Sequence, residues 1–145
     1  MASGTIVAIN LSTGSHSALR SVGRVQVRAD SGLDGDYHAR PGRPRALLLM
    51  EKEVLDEFGL DPGAVREQIT TQGVPLSTLP DGARLTLGPV RVTLGKHCTP
   101  CLRMDEVQPG LQQALVGRRG RFVRVHEDGE IAVGDDVRID AAESA

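Results

Sequence analysis

The chain has 145 residues, 39% of them hydrophobic and 25% charged, with a formal net charge of −2. That length fits one domain with its own core, able to bury about two-thirds of its unfolded surface without a disulfide or metal staple. The charge balance argues against a general nucleic-acid binder, which carries a strong basic excess, and one Tyr, two Phe and no Trp argue against a stacking platform for single strands. No run approaches the ~20 apolar residues of a bilayer span. The opening "MASGTIVAIN" lacks the basic stretch and long apolar core of a secretory signal. The sequence therefore predicts a cytoplasmic protein, where a cysteine pair is catalytic or metal-binding rather than disulfide-bonded.

Along the chain, seven short β-rich runs stand out: 5–10, 24–29, 46–50, 84–88, 90–95, 121–126 and 136–140. Turn signals separate them: "PDG" at 80–82, "GP" at 88–89, "EDGE" at 127–130 and "GDD" at 134–136. Three helices are expected. In 50–60, Met50, Val54, Leu55 and Phe58 share a face and Gly59 is the stop. In 61–68, "DPGAVREQ", Asp61 reads as N-cap and Pro62 as first helical residue. A third, over 109–117, ends at Gly117. The sum is a single mostly-β domain over 1–140, a barrel or sandwich with two or three short helices, and a small-residue tail at 141–145 expected to fray.

Both cysteines fall in "LGKHCTPCLRM", 94–104. A strand ending at Gly95 and a helix starting at Pro100 would make Thr99 the N-cap and put Cys101 in the first turn. Unpaired N–H groups and the helix dipole favour a thiolate there, and Lys96, His97 and Arg103 add positive charge nearby. Cys98 lies before the cap and gains less. Four readings compete. The pair could be two small buried hydrophobes. It could be half of a zinc site completed by His97 and one of His16, His38 or His126, although none shows a paired spacing. It could be a thioredoxin-like redox pair, although the βαβ context is missing. Or one thiolate could hold a soft metal or carry sulfur.

Several segments in order carry a family resemblance: "GLDGDYHA" (32–39), "RALLLMEKEVLDEF" (45–58), the stretch 65–95 beginning "VREQ", "CTPCLRM" (98–104) and 117–137 beginning "GRRGRF". Together they resemble the MOSC family, the domain named for the C-terminal part of molybdenum cofactor sulfurase, over nearly the whole chain. The resemblance implies a closed β-barrel with a few short helices. It also implies a molybdenum–molybdopterin cofactor whose metal is completed by one protein cysteine, here Cys101. Arg66 matches the Arg of the family's Arg-x-Asn segment, and Gln68 stands where that Asn is usual, one methylene longer. A phosphate-bearing cofactor calls for planar cationic donors, so Arg66, Gln68, Thr99, Arg118 and Arg119 are the cofactor-binding candidates.

Each candidate has a plainer alternative. Arg66 can form a surface ion pair, Thr99 can simply cap a helix, and Arg118 and Arg119 can be a solvated turn rather than an anion nest. Asp36 and His38 can line the pocket, His38 as proton donor, or only stabilise their loop. Arg40, Arg43 and Arg45 form an entrance or a soluble face. The leading expectation is a molybdenum oxidoreductase reducing small N-hydroxylated compounds, monomer or homodimer, with no nucleic-acid or membrane partner. Two cysteines fall short of the roughly four an iron–sulfur cluster needs, so electrons must come from a separate reductase. The alternative is a sulfur-carrier or cofactor-delivery module with a persulfide on Cys101 that Cys98 resolves. A third is a binding domain that has lost its ligand. The family's pyridoxal-phosphate association belongs to the sulfurase partner domain. Lys52 and Lys96, the chain's two lysines, sit in unrelated contexts.

Overall fold

One long strand closes the barrel. In the structure, a computed structural model that describes residues 3–14, 18–43 and 46–140, β1 (Ser3–Ser12) pairs antiparallel with two strands at once. Ser3 to Thr5 face Arg138 to Asp136 of β11 (Asp136–Ile139), while Thr5 to Ile9 face Gln72 to Ile69 of β6 (Ile69–Gln72). From β11 the ring continues through β7 (Arg84–Leu87), β8 (Val90–His97), β9 (Arg121–Val125) and β5 (Leu48–Glu51), then back through β6 to β1. All neighbours in this seven-strand ring are antiparallel except β5 and β6, joined by the crossover containing α1 (Lys52–Glu57). β2 (Leu19–Val22) pairs with the far half of β1. β3 (Arg24–Arg28), β4 (Gly32–Leu33) and β10 (Gly129–Ala132) make a small sheet of their own. α2 (Arg103–Val107) and α3 (Leu111–Ala114) lie between β8 and β9 in the chain. No helix among the described residues is long and apolar enough to cross a membrane.

Period-two alternation explains the ring. Val90, Val92 and Leu94 of β8 and Val123 and Val125 of β9 are buried, while Arg91 and Arg124 between them face solvent. These side chains join Ile6, Ile9, Leu49, Ile69, Leu85 and Leu87 in the barrel core, which also takes Val25, Val27 and Ile131 from the small sheet. β5 is buried along its whole length. Its Leu49 enters the barrel core, and its Met50 enters a second cluster with Val54, Leu55, Val65, Met104, Leu111 and Leu115. That second cluster seats the three helices and hence the cysteine segment.

The closed, mostly-β barrel is the expected fold, and all seven expected strands form with ends shifted by two residues at most. Four strands were not expected: β2, β4, β6 and β10. In "EDGE" the chain bends at Glu127, and Gly129 already begins β10. The helix expected at 61–68 does not form. Ala64 N–H bonds the Asp61 carbonyl at 3.0 Å and Arg66 N–H bonds the Gly63 carbonyl at 2.9 Å, giving linked turns. Gly63 and Arg66 both take left-handed backbone, φ 93° and 69°, which a right-handed helix cannot absorb. α1 is shorter than expected but stops as predicted, with Gly59 left-handed at φ 66° and Leu60 N–H returning to the Leu55 carbonyl. The tail at 141–145, Arg45 and His16 lie outside the described residues.

Candidate functional site around Cys101

The cysteine segment is positioned by β8 and β9. A register shift between Leu94 and His97 ends regular pairing, and Cys98 N–H makes a last bond to the Gly120 carbonyl, 3.0 Å. Gly120 is required there: at φ 101°, a Cβ would lie 2.2 Å from the Leu49 carbonyl oxygen. This close crossing over β5 places the preceding residue, Arg119, beneath the cysteine segment.

The helix begins later than expected. α2 starts at Arg103 with Leu102 as its N-cap, and Met104 N–H bonds the Cys101 carbonyl at 2.9 Å. Thr99 therefore caps nothing, and Cys101 precedes the helix rather than sitting in its first turn. Pro100 lies between the strand and the helix and starts neither. The cation at the thiol is supplied from elsewhere. Arg119, only 8% exposed, donates through Nη1 to the Thr99 carbonyl (3.1 Å) and to Cys101 Sγ (3.7 Å), and through Nη2 to the Val65 carbonyl (3.2 Å). Its Nε is buried and has no partner among the described residues. Cys101 is exposed and Cys98 buried, both as free thiols.

Arg66 adjoins this arrangement through Val65. Its Nη2 reaches the Gly14 carbonyl at 3.3 Å and Ser12 Oγ at 3.5 Å. Burial, then repulsion from Arg103, holds its guanidinium below the usual arginine range, with Asp36 opposing. Arg119 thus stands at the sulfur, while Arg66 and Arg103 lie near enough to repel each other. Beside Arg66 lies a buried lock. Asp36 Oδ1 accepts the Ser12 N–H (2.7 Å), and Oδ2 accepts Gln68 Nε2 (3.1 Å) and the His38 N–H (3.2 Å). Gln68 also donates to the Ala46 carbonyl (2.8 Å) and accepts the Leu48 N–H (2.8 Å). The His38 imidazole is half-buried, edge-on to Tyr37 at 5.3 Å.

Other expected residues point elsewhere. Arg118 pairs with Glu57 and lies 5.8 Å over the Phe58 ring, so it braces α1 rather than Cys101. The exposed Thr99 contributes its carbonyl. Arg40 and Arg43 are exposed on their loop. The His97 ring bonds the Ser77 carbonyl at 3.0 Å, and among the described residues no three His, Cys, Asp or Glu side chains converge as a metal cluster. A cleft of about 480 Å³ borders the segment, lined by His97, Cys98, Thr99, Pro100, Asp105 and Gln113 among others. Neither Cys101 nor any arginine lines it.

Among the described residues, three buried charged side chains were not expected: Glu51, which accepts the Ser77 hydroxyl, Arg121 and Glu67. Arg121 is wholly buried and spends its donors on the Leu76, Leu79 and Gly95 carbonyls and on Asp81. Its phase gives it away in retrospect: Arg119, Arg121, Val123 and Val125, two apart, are all buried. Glu67 is also wholly buried, with Oε2 accepting the Gly63 N–H (2.9 Å) and the Thr70 hydroxyl (2.7 Å). Burial pushes its pKa up, against the pull of those hydrogen bonds. No local sequence signal marks it.

Comparison with known proteins gives a consistent result. The MOSC domain model matches residues 36–138. The crystal structure of the YuaD protein from Bacillus subtilis superposes with a TM-score of 0.76 at 17% identity, over 93% of this chain and 94% of that one. YiiM from Escherichia coli gives 0.69 at 16% identity, over 95% of this chain and 70% of that one. YiiM from Geobacillus stearothermophilus gives 0.70 at 21%, over 94% and 75%. At these identities the likeness speaks for the fold. No curated protein matches by sequence.

Proposed function

Because this chain belongs to the MOSC domain family, we propose that it binds the molybdenum–molybdopterin cofactor and reduces small N-hydroxylated compounds, with Cys101 as the protein ligand to the metal. The observation that carries this reading is Arg119. A guanidinium more than nine-tenths buried whose partners are two carbonyls and a sulfur has no carboxylate among the described residues to balance its charge. Buried charges are normally paired, and the unpartnered Nε adds a donor. An anionic group at Cys101 would supply the missing counter-charge, so the residues present fit a phosphate-bearing cofactor with a soft metal.

The roles follow from donor chemistry. Cys101 offers an exposed soft sulfur, suited to a thiophilic metal. Arg119 and Arg66 supply planar donors for an oxyanion, with Arg103 adding to the field. Bound there, the cofactor supplies a metal able to exchange an electron pair. Reducing an N-hydroxyl to an amine takes up that pair and two protons and releases water. His38 would be the proton donor, on a loop whose backbone amide is fixed by Asp36. Electrons come from a separate reductase, and the reaction is set in the cytoplasm, where both thiols stay reduced.

A second reading rests on the same contact. A persulfide anion on Cys101 would also sit beside the Arg119 guanidinium, with Cys98 three residues upstream to resolve it. Expression in a pterin-synthesising host, followed by elemental analysis, separates the two. Molybdenum near one atom per chain, lost in Cys101→Ser and kept in Cys98→Ser, is expected. Loading near zero where a control molybdoenzyme is full would overturn the enzyme reading, and equal loss in both variants would favour the sulfur carrier.

A further inference from the structure

Glu67 lies one residue past Arg66, sealed from solvent, and nothing in the proposed reaction uses it. Its neighbours Val65 and Ile69 pack as ordinary apolar residues. A buried carboxyl there is costly unless its hydrogen bonds do something a leucine could not. Those bonds run to the Gly63 N–H and the Thr70 hydroxyl, with the Val65 amide also in reach. They clasp the 61–67 turns onto β6. The clasped segment holds Arg66 at φ 69°, a conformation uncommon outside glycine. It also presents the Val65 carbonyl that takes Arg119 Nη2 at 3.2 Å. The other end of that guanidinium touches Cys101 Sγ.

We propose that Glu67 is a positioning residue for the cysteine centre: by clasping the 61–67 turns it fixes the Val65 carbonyl, and through it the guanidinium of Arg119 beside Cys101. The inference deepens the reading of Cys101 as the reactive sulfur and stands apart from which cofactor that sulfur holds. The interaction needs an acceptor oxygen and not a charge, so glutamine should replace glutamate here.

The test uses the full-length, metal-free protein and iodoacetamide at pH 7, with alkylation at Cys101 followed by peptide mass spectrometry. Arg119 Nη1 is the donor that faces the attacking sulfur, and its loss in Arg119→Ala should slow alkylation of the exposed thiol about threefold. Glu67→Ala should slow it by a similar factor, Glu67→Gln should restore the natural rate, and Glu67→Ala with Arg119→Ala together should be no slower than Arg119→Ala alone. Glu67→Ala alkylated at the natural rate, Glu67→Gln as slow as Glu67→Ala, or a double variant slower by the product of the two effects would each overturn the proposal. Should Glu67→Ala fail to fold, Thr70→Val keeps the side-chain volume and removes one clasp. A slowing of about twofold supports the mechanism, and an unchanged rate overturns it. Molybdenum loading is irrelevant to these rates, so this inference and the cofactor reading can fail separately.

Discussion

Replacing Arg121 with methionine is the sharpest test of how the site is built. The arginine is wholly buried and anchors four groups at once. It bonds the Leu76 carbonyl at 2.8 Å, the Leu79 carbonyl, Asp81 and, through two nitrogens, the Gly95 carbonyl at 2.8 and 3.1 Å. Gly95 lies near the start of the cysteine segment, and Leu76 opens a 3-10 turn, Leu76–Thr78, whose Ser77 carbonyl meets His97. Methionine fills most of the volume but leaves carbonyls without donors, at about 1–3 kcal/mol for each one that water cannot reach. Leu79 and Gly95 are only partly buried and Asp81 is 65% exposed, so all three rehydrate. The cost then falls on the Leu76 carbonyl and comes to about 2–3 kcal/mol. With a urea m-value near 2 kcal/mol/M, the unfolding midpoint should drop by about 1 M. Asp81→Asn should lower it by less than ~0.5 M, since the aspartate is mostly in water. An Arg121→Met midpoint within about 0.5 M of the natural protein's would refute the assignment and make Arg121 a residue held for ligand rather than for structure.

Three further outcomes follow from the same geometry. Glu67 has its folded pKa raised by burial, so the native state keeps its proton where the unfolded chain has lost it. Its contribution to stability is full below the unfolded pKa of ~4.3 and declines as pH rises toward the folded value. Thermal melts of Glu67→Gln across that window should lack this decline, and parallel curves would count against it. Gln68→Ala should cost about 2–4 kcal/mol in urea, because the Leu48 N–H and Ala46 carbonyl lose their buried partner; a loss under ~1 kcal/mol would mean that the lock is wet. Gly120→Ala should unfold or strongly destabilise the chain, by more than ~3 kcal/mol, since its Cβ would sit 2.2 Å from the Leu49 carbonyl oxygen. A melting temperature within a few degrees of the natural protein's would show that β5 yields there.

The barrel was legible because alternation is a local signal. Val90, Val92 and Leu94 announce their own burial, and Gly59 its own helix stop. The failures share one cause, which is that a distant partner decided the local structure. "DPGAVREQ" has the Asp-Pro opening of a helix, yet the Glu67 side chain captures the Gly63 amide and turns the backbone elsewhere. Cys101 was expected to draw its positive environment from its own place in the first turn of a helix, and instead faces Arg119, 18 residues on. The strand "ITTQ" (69–72) carries too little hydrophobic pattern to read as a barrel stave, and becomes one because β1 and β5 flank it. In "GRRGR" the sequence offers three equal arginines. The fold gives one to Glu57, one to Cys101 and one to the barrel interior.

β5 divides the apolar side chains into two separate pools, one sealed inside the staves and one under the helices. The scaffold and the cysteine-bearing face therefore draw on different apolar contacts and meet along a single strand. A substitution among the side chains under the helices falls on the seat of the cysteine segment without emptying the interior of the staves.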